Sequence, residues 1–425
     1  MKIPLEPVRG MRDLTPPESD CLEYLGSTFA NVASKYGYEL VILPTVEFFE
    51  LFAIKSGPEI KRSMYVFADK GGRQVCLRPE FTAGVARAYL RLMRNRPKPV
   101  KLFYVGSAFR YEEPQAGRYR EFFQAGVEYL GDSSIYADIE LLLLIRDYYR
   151  AVGLTGYKVK MGTIAIYRNL FSEWGIPEET QDLIIHYLDK RQLDDALKLV
   201  KRYSMSGAPI IEELSTVSSP EPDEIRNLVD RVGLSRESLE EVERLIKVLE
   251  IVKGLGVSEP YIDLGFARGL AYYTGFIFEI TVPDAGFSIG GGGRYDKLVS
   301  LYGSEDLPAT GFALGLDRQL LVLRSKGWSP PRRYVKTALI VLDADITYVD
   351  RVATTFRELG HSVDVKVTTK KRMSDVLSDV SGGDYEYAVF IGEKEVKEGL
   401  VSVKNLRRKA QKVLRLEGLN AGDLP

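Results

Sequence analysis

The chain has 425 residues, 45% of them hydrophobic and 28% charged, with a formal net charge of −1. That length suits two or three domains with real cores. No apolar run approaches a bilayer span, the opening MKIPLEPVRGMRD lacks the apolar stretch of a signal peptide, and two cysteines, Cys21 and Cys76, offer neither a disulfide framework nor a zinc site, so a cytoplasmic protein is expected.

In chain order, residues 19–36 carry a helical pattern, and residues 38–43 and 74–77 read as strands. A hairpin follows, and residues 135–149 return to helix. Strands joined by hairpins predict an antiparallel sheet with helices against it, an α+β arrangement. From about residue 166 to 256 strand patterns vanish. Within that block Ser238 and Glu241 have capping-box spacing, apolar residues recur from Leu239 to Val252, and Gly254 offers a stop. This predicts a small all-helical insertion, or else a helical excursion of the same core. The β-rich run YYTGFIFEITV and a glycine run at 290–293 resume the sheet. GWSPPRR (residues 327–333) reads as a linker. Beyond it, TALIVLDA, a helix from about Thr347, HSVDVKV, a helix near 372–380, YAVFIG and LVSVKNL predict an α/β domain with a mostly parallel sheet. The expected domains are 1–165 and 257–326 for one sheet-based body, 166–256 for the helical block, 327–334 for the linker and 335–425 for the tail. Residues 332–425 hold 17 basic and 14 acidic side chains. Clusters at 370–372 and 404–412 are better evidence for phosphate contact than this small excess, although a charge run is usually a solvated face.

The two histidines, His186 and His361, lie away from every motif. A Ser-His-Asp hydrolase or a histidine-ligated metalloenzyme is poorly supported. Arginine, glutamate, glutamine and tyrosine must carry the chemistry, which suits nucleotidyl transfer.

The most informative stretch is residues 109–128, FRYEEPQAGRYREFFQAGVE. A strand ends at Arg110, a polar loop carries Arg118, and the returning strand puts Phe122, Gln124, Gly126 and Glu128 on one face. A ring, an amide, a carboxylate and a glycine that admits a ligand to the backbone, framed by two arginines, suit a nucleoside triphosphate beside a small polar molecule. The competing reading is a charged surface hairpin.

This run resembles motif 2 of the class II aminoacyl-tRNA synthetases and, within them, the histidyl-tRNA synthetases. LGFARGLAYYTGFIFE (264–279) is similar to the segment peculiar to the histidyl enzymes. GGGGRYDKLVSLYGSEDLPATGFALGLDR (290–318) ends in a likeness of motif 3, and GYELVILPTVEFFELF (37–52) resembles the dimer-forming motif 1 with its Pro44. The resemblance covers nearly the whole chain. It implies a class II catalytic domain, a C-terminal anticodon-binding domain and a helical module touching the acceptor end of tRNA. It further implies ATP, L-histidine and histidine tRNA as partners, Mg2+ accompanying ATP, no organic cofactor, and a homodimer.

Carried over residue by residue, Arg110 and Arg268 meet the α-phosphate, Arg268 standing where other class II enzymes place a metal ion. Arg118 and Arg318 hold the β- and γ-phosphates, and Phe122 stacks on adenine. Glu80 and Thr82 of LRPEFTAG, with Gln124, bind the substrate ammonium. Glu128 and Tyr273, beside Tyr272, read the imidazole, and Arg268 also borders the histidine. For Glu80 the competing reading is a helix N-terminal carboxylate favoured by the dipole, and for any one arginine a surface ion pair. Two positions depart from the family pattern: Phe123, where histidine is common, and Ala271, where an acid is expected. A non-catalytic paralogue serving as a regulatory subunit of ATP phosphoribosyltransferase is the alternative, disfavoured because this chain has both the tail and the four arginines.

Overall fold

The first helix, Glu18–Lys35, buries Cys21, Leu22, Leu25, Phe29, Val32 and Ala33 along one stripe, the 3.6-residue spacing of an amphipathic helix. Glu18 and Asp20 in its first turn and Lys35 in its last complement the helix dipole. The computed structural model describes residues 3–54, 62–267, 272–303, 305–342, 344–368, 380 and 383–425. Contacts divide the chain into two units, 1–330 and 331–425. Among the described residues no helix is long and apolar enough to cross a membrane.

The first unit is built on a nine-stranded sheet. In spatial order its strands are Glu39–Leu40, Val100–Phe109, Glu121–Leu130, Ala309–Gly315, Ser288–Arg294, Phe276–Thr281, Lys158–Thr163, Pro260–Asp263 and Ser218–Ser219. Neighbours run antiparallel except Glu39–Leu40 with Val100–Phe109 and Lys158–Thr163 with Pro260–Asp263, so the expected antiparallel sheet carries two parallel pairings. The hairpin is regular along its whole length, from Val100 opposite Leu130 to Phe109 opposite Glu121. A separate three-stranded antiparallel sheet joins Val46–Phe48, Gln74–Leu77 and Val66–Ala68.

Where the pattern predicts a strand over 38–43, the ladder holds two residues. Val41 N–H still donates to Phe103 O at 2.9 Å, after which the chain leaves the sheet edge toward Pro44 and exposes Ile42 at 85%.

Six helices occupy the middle of the chain: Ala165–Glu173, Glu178–Asp189, Leu193–Lys201, Gly207–Leu214, Pro222–Val232 and Arg236–Gly254. Their inward residues, among them Ile184, Val200, Ile211, Ile246 and Leu249, belong to the same buried cluster as the sheet residues Val127 and Phe278. The block has no core of its own. Its last helix packs on Ile135–Val152, on Ala165–Glu173 and on the strands Lys158–Thr163 and Pro260–Asp263. That helix begins earlier than the capping-box spacing predicts. Ser235 is the cap and its hydroxyl accepts from Ser238 N–H, while Ser238 itself is buried in the first turn.

A buried ion pair joins helix Ile135–Val152 to the end of strand Ser288–Arg294. Arg294 Nη2 stands 2.9 Å from Asp138 Oδ1, and Arg294 also donates to the carbonyls of Asp132 and Ser134. An unpaired charge there would be costly, and these bonds satisfy both partners.

The second unit has the strand order His361–Val367, Val335–Val341, Tyr387–Ile391, Leu400–Asn405 and Gln411–Arg415. The first two pairings are parallel and the last two antiparallel, so the sheet is mixed rather than mostly parallel. The reason is local. Asn405 Oδ1 accepts from Arg407 N–H and Arg408 N–H, turning the chain into a hairpin that adds the unforeseen strand Gln411–Arg415. Helix Ile346–Glu358, capped by Asp345 on Thr347 N–H and Tyr348 N–H, packs on Leu339, Val341, Val389 and Ile391. Ala338, Ile340, Ala388 and Phe390 form a separate cluster, as period-two alternation requires. His361 is structural: it is buried, with Nδ1 2.7 Å from Thr337 Oγ1. The cluster at 370–372 and nearly all of the helix expected at 372–380 lie outside the described residues.

Candidate active site

The hairpin strands, the glycine-rich strand and Ala309–Gly315 form the floor of a cavity of about 590 Å³, within the usual range for small-molecule sites. Nine of the expected residues line it: Glu80, Thr82, Arg110, Arg118, Phe122, Gln124, Tyr272, Tyr273 and Arg318. Arg268 and Ala271 lie outside the described residues.

One side of the cavity is cationic. Arg110 follows its strand directly; its Nε donates to Pro79 O at 3.0 Å and its guanidinium lies 5.4 Å from the Phe122 ring. Arg318, at the start of helix Leu316–Ser325, donates to Gly117 O at 3.2 Å and Ser288 O at 2.8 Å. Arg118 pairs with Glu112. Burial lowers the pKa of Arg318, and the charges of Arg118 and Arg110 lower it further, against partial relief from Glu112. Three guanidinium groups thus repel one another around a space that a polyanion would neutralise.

The other side is built around Glu128, which is 1% exposed and lies beneath the cavity floor. Three hydroxyls converge on it. Thr82 Oγ1 donates at 2.8 Å, Tyr104 OH at 3.3 Å, and Tyr295 OH donates to the second oxygen. Burial dominates, so the Glu128 carboxyl is pushed up to about 8 despite those donors. Tyr104 and Tyr295 are themselves held well above their ordinary value by burial and by Glu128, and they stay protonated donors.

Glu80 accepts from Thr82 N–H and Ala83 N–H, the latter at 3.0 Å. It therefore caps the start of helix Thr82–Ala88 and also lines the cavity. Gln124 Oε1 is buried and, among the described residues, has no hydrogen-bond partner. A buried acceptor left unmet is costly, and one lining a ligand cavity suits a donor brought by the ligand.

Gly126 does not do what its place on the ligand face predicts. A β-carbon there would lie 2.4 Å from Tyr104 OH and 2.4 Å from Phe312 O. The glycine makes room for a tyrosine and a neighbouring strand rather than for a ligand. The same holds at Gly292, where a β-carbon would meet Gly311 O at 2.0 Å. Phe123 packs against the core, as expected of a side chain off the ligand face.

Several cavity residues escape sequence reasoning. Tyr104 has a traceable signal, since Gly126 sits opposite it in register and a glycine inside a strand marks a close approach; Tyr295 has no such signal. Asp317 has none: its Oδ2 accepts from Phe123 N–H at 2.6 Å and its Oδ1 from Arg12. Asp189 and Lys190, from the helical block, also line the cavity.

The histidyl-tRNA synthetase family model matches residues 10–318, and an anticodon-binding domain model matches residues 336–421. The chain is 41% identical over 417 residues to the histidine–tRNA ligase of Sulfolobus acidocaldarius, covering 97% of this chain and 96% of that protein. It is 37% identical over 422 residues to that of Saccharolobus solfataricus, covering 98% of each. In fold it resembles the crystal structure of histidyl-tRNA synthetase from Nostoc, with a TM-score of 0.78, 23% identity and 97% of each chain covered. It also resembles a Bacillus halodurans protein described as an ATP phosphoribosyltransferase regulatory subunit/histidyl-tRNA synthetase, with a TM-score of 0.77, 22% identity, and 92% of this chain and 99% of that one covered. With a family model spanning most of its length and relatives of this identity, the chain belongs to the histidyl-tRNA synthetase family.

Proposed function

We propose that this chain is a histidine–tRNA ligase that activates histidine with ATP and then transfers it to the 3′ end of its tRNA. The observation that carries the reading is one cavity with three arginines on one side and, on the other, a buried carboxyl ringed by hydroxyls. In the first step a histidine carboxylate oxygen attacks the α-phosphorus of ATP, the bond to the bridging oxygen breaks, and pyrophosphate leaves. Charge grows on the phosphoryl oxygens, where fixed cations stabilise it most. Arg110 and Arg268 take the α-phosphate, Arg118 and Arg318 the leaving pyrophosphate, and Phe122 the adenine.

The unpartnered Gln124 Oε1 and the adjacent Glu80 and Thr82 receive the substrate ammonium. Glu128 and Tyr273, beside Tyr272, read the imidazole. A neutral imidazole has one donor and one acceptor, and a site that bonds both rejects side chains lacking them. In the second step the terminal ribose hydroxyl attacks the adenylate carbonyl and releases AMP. ATP enters as its magnesium complex, and Glu112 and Glu279 are among the carboxylates that line the cavity.

The regulatory-subunit reading is the weaker one. Its fold is shared, but this chain carries an anticodon-binding domain match and keeps Arg110, Arg118, Arg268 and Arg318. A homodimer through residues 37–52 is supported by the apolar surface there, with Leu40, Ile42, Val46 and Phe48 all exposed. Histidine-dependent ATP–pyrophosphate exchange, followed by charging of total tRNA, tests the assignment. Absence of both reactions in folded protein rejects it.

A further inference from the structure

We propose that Arg12, which does not itself line the cavity, is a positioning residue for its ATP side, and that residues 9–12 act as a clamp on the loop carrying Arg118. The proposal rests on the reading that Arg118 and Arg318 hold ATP phosphates.

The clamp has two jaws. The first is backbone: Arg120 N–H donates to Gly10 O at 2.8 Å, and Arg120 Nη1 donates to Arg9 O at 3.2 Å. Arg120 also donates from Nε to Glu112 O at 3.1 Å, and its guanidinium lies 3.7 Å from the Tyr111 ring. Gly10 is required for this contact. Its φ is +83°, and a β-carbon there would stand 2.7 Å from the Arg120 side chain.

The second jaw is Arg12. Its guanidinium lies 3.5 Å from the centre of the Tyr119 ring, next to Arg118, and it bonds Asp317 Oδ1. Asp317 is 3% exposed and its other oxygen accepts from Phe123 N–H. Asp317 precedes Arg318, and Phe123 follows Phe122. One guanidinium thus braces the loop by stacking and braces the neighbours of two ATP-side residues through a single carboxylate. A flat, charged group can stack and bond edge-on at once, which an ammonium cannot. Without it, the buried Asp317 loses its ion-pair partner, and the loop loses its stacking partner.

The test is pyrophosphate exchange by the full chain and by Arg12→Ala and Arg12→Lys, with KM for ATP and for histidine determined separately, and histidine binding measured without ATP. Misplacement by about an ångström costs up to roughly a hundredfold. Arg12→Ala is therefore expected to raise KM for ATP or lower kcat by about ten- to a hundredfold, with histidine affinity within about twofold of the parent. Arg12→Lys is expected to follow Arg12→Ala, because charge without the flat stack does not restore the brace. Should Arg12→Ala fail to fold, Arg12→Lys carries the test alone. In an Asp317→Asn background, Arg12→Ala should cost less than in the parent, since both act through one contact. Unchanged ATP parameters in either variant, equal losses for ATP and histidine, or strictly additive effects with Asp317→Asn overturn the proposal while leaving the ATP reading intact. Lack of exchange in the parent chain overturns both.

Discussion

Glu128 and Gly311 face each other across neighbouring strands, and a β-carbon on residue 311 would stand 2.1 Å from Glu128 Oε2. The carboxyl therefore occupies space that only a glycine leaves open. Gly311→Ala should push Glu128 off its three hydroxyl donors. Overpacking of this kind costs about 1–3 kcal/mol in stability. The functional loss should fall on histidine, because Arg110, Arg118 and Arg318 do not touch Glu128. Separate titrations of histidine and ATP check this, and an ATP defect as large as the histidine defect would contradict it.

The position of Glu128 also makes stability depend on pH. Its carboxyl is raised by burial from 4.5 to about 8, so between those values the folded state holds a proton that the unfolded chain has released. Stability from this group is complete below the unfolded value and is lost as pH rises through about 8. Glu128→Gln, neutral throughout, should lack that decline. Melting temperatures of the unliganded proteins from pH 5 to 9 provide the comparison, and parallel curves would mean that the carboxyl is already ionised. The same variant should weaken histidine binding by up to about tenfold, the worth of one hydrogen bond between neutral groups, with ATP affinity little changed.

Arg268→Ala should abolish adenylate formation and leave weakened histidine binding. The motive is the placement of this arginine in ARGL, similar to the family's α-phosphate cation. Removing one preorganised charge-stabilising group costs on the order of a hundred- to a thousandfold in rate. Pyrophosphate exchange near the parental rate would refute the role.

Legibility followed the range of the forces. Gln74–Leu77 and the start of the helix Ile135–Val152 were readable because alternation and helical spacing are local. The face of Phe122, Gln124 and Glu128 was readable because a strand repeats every two residues. The strand expected over 38–43 was not, because its length is set by where a neighbouring strand lies. Gln411–Arg415 hid inside a run of charges that reads as solvated surface. The helix cap fell on Ser235 rather than Ser238 because burial of Ser238 is a tertiary fact. Arg12 and Asp317 were invisible as a pair because no periodicity links residues near opposite ends of the unit 1–330. The family likeness supplied what periodicity lacks, namely which distant arginines share one cavity.

The division of labour between the two units yields the last prediction. The residues assigned to activation all precede GWSPPRR, and the basic cluster at 404–412 follows it. The first unit has its own nine-stranded sheet and a continuous buried cluster, so a chain ending within GWSPPRR should still make histidyl-adenylate. It should charge tRNA poorly, because the second unit carries the anticodon-binding domain match. Arg407, Arg408, Lys409 and Lys412 lie at and beside the hairpin turn between Leu400–Asn405 and Gln411–Arg415, well placed for phosphates. Neutralising phosphates releases counterions, so tRNA affinity of the intact chain should fall steeply with salt. Truncation should flatten that dependence by roughly one unit of slope per lost contact. The measurement is tRNA affinity against salt concentration for both proteins, alongside pyrophosphate exchange. Equal charging with an equal salt slope would remove tRNA binding from the second unit. Loss of adenylate formation would count against the division only if the truncated chain keeps its helical content and its cooperative unfolding, since otherwise the second unit supports the first.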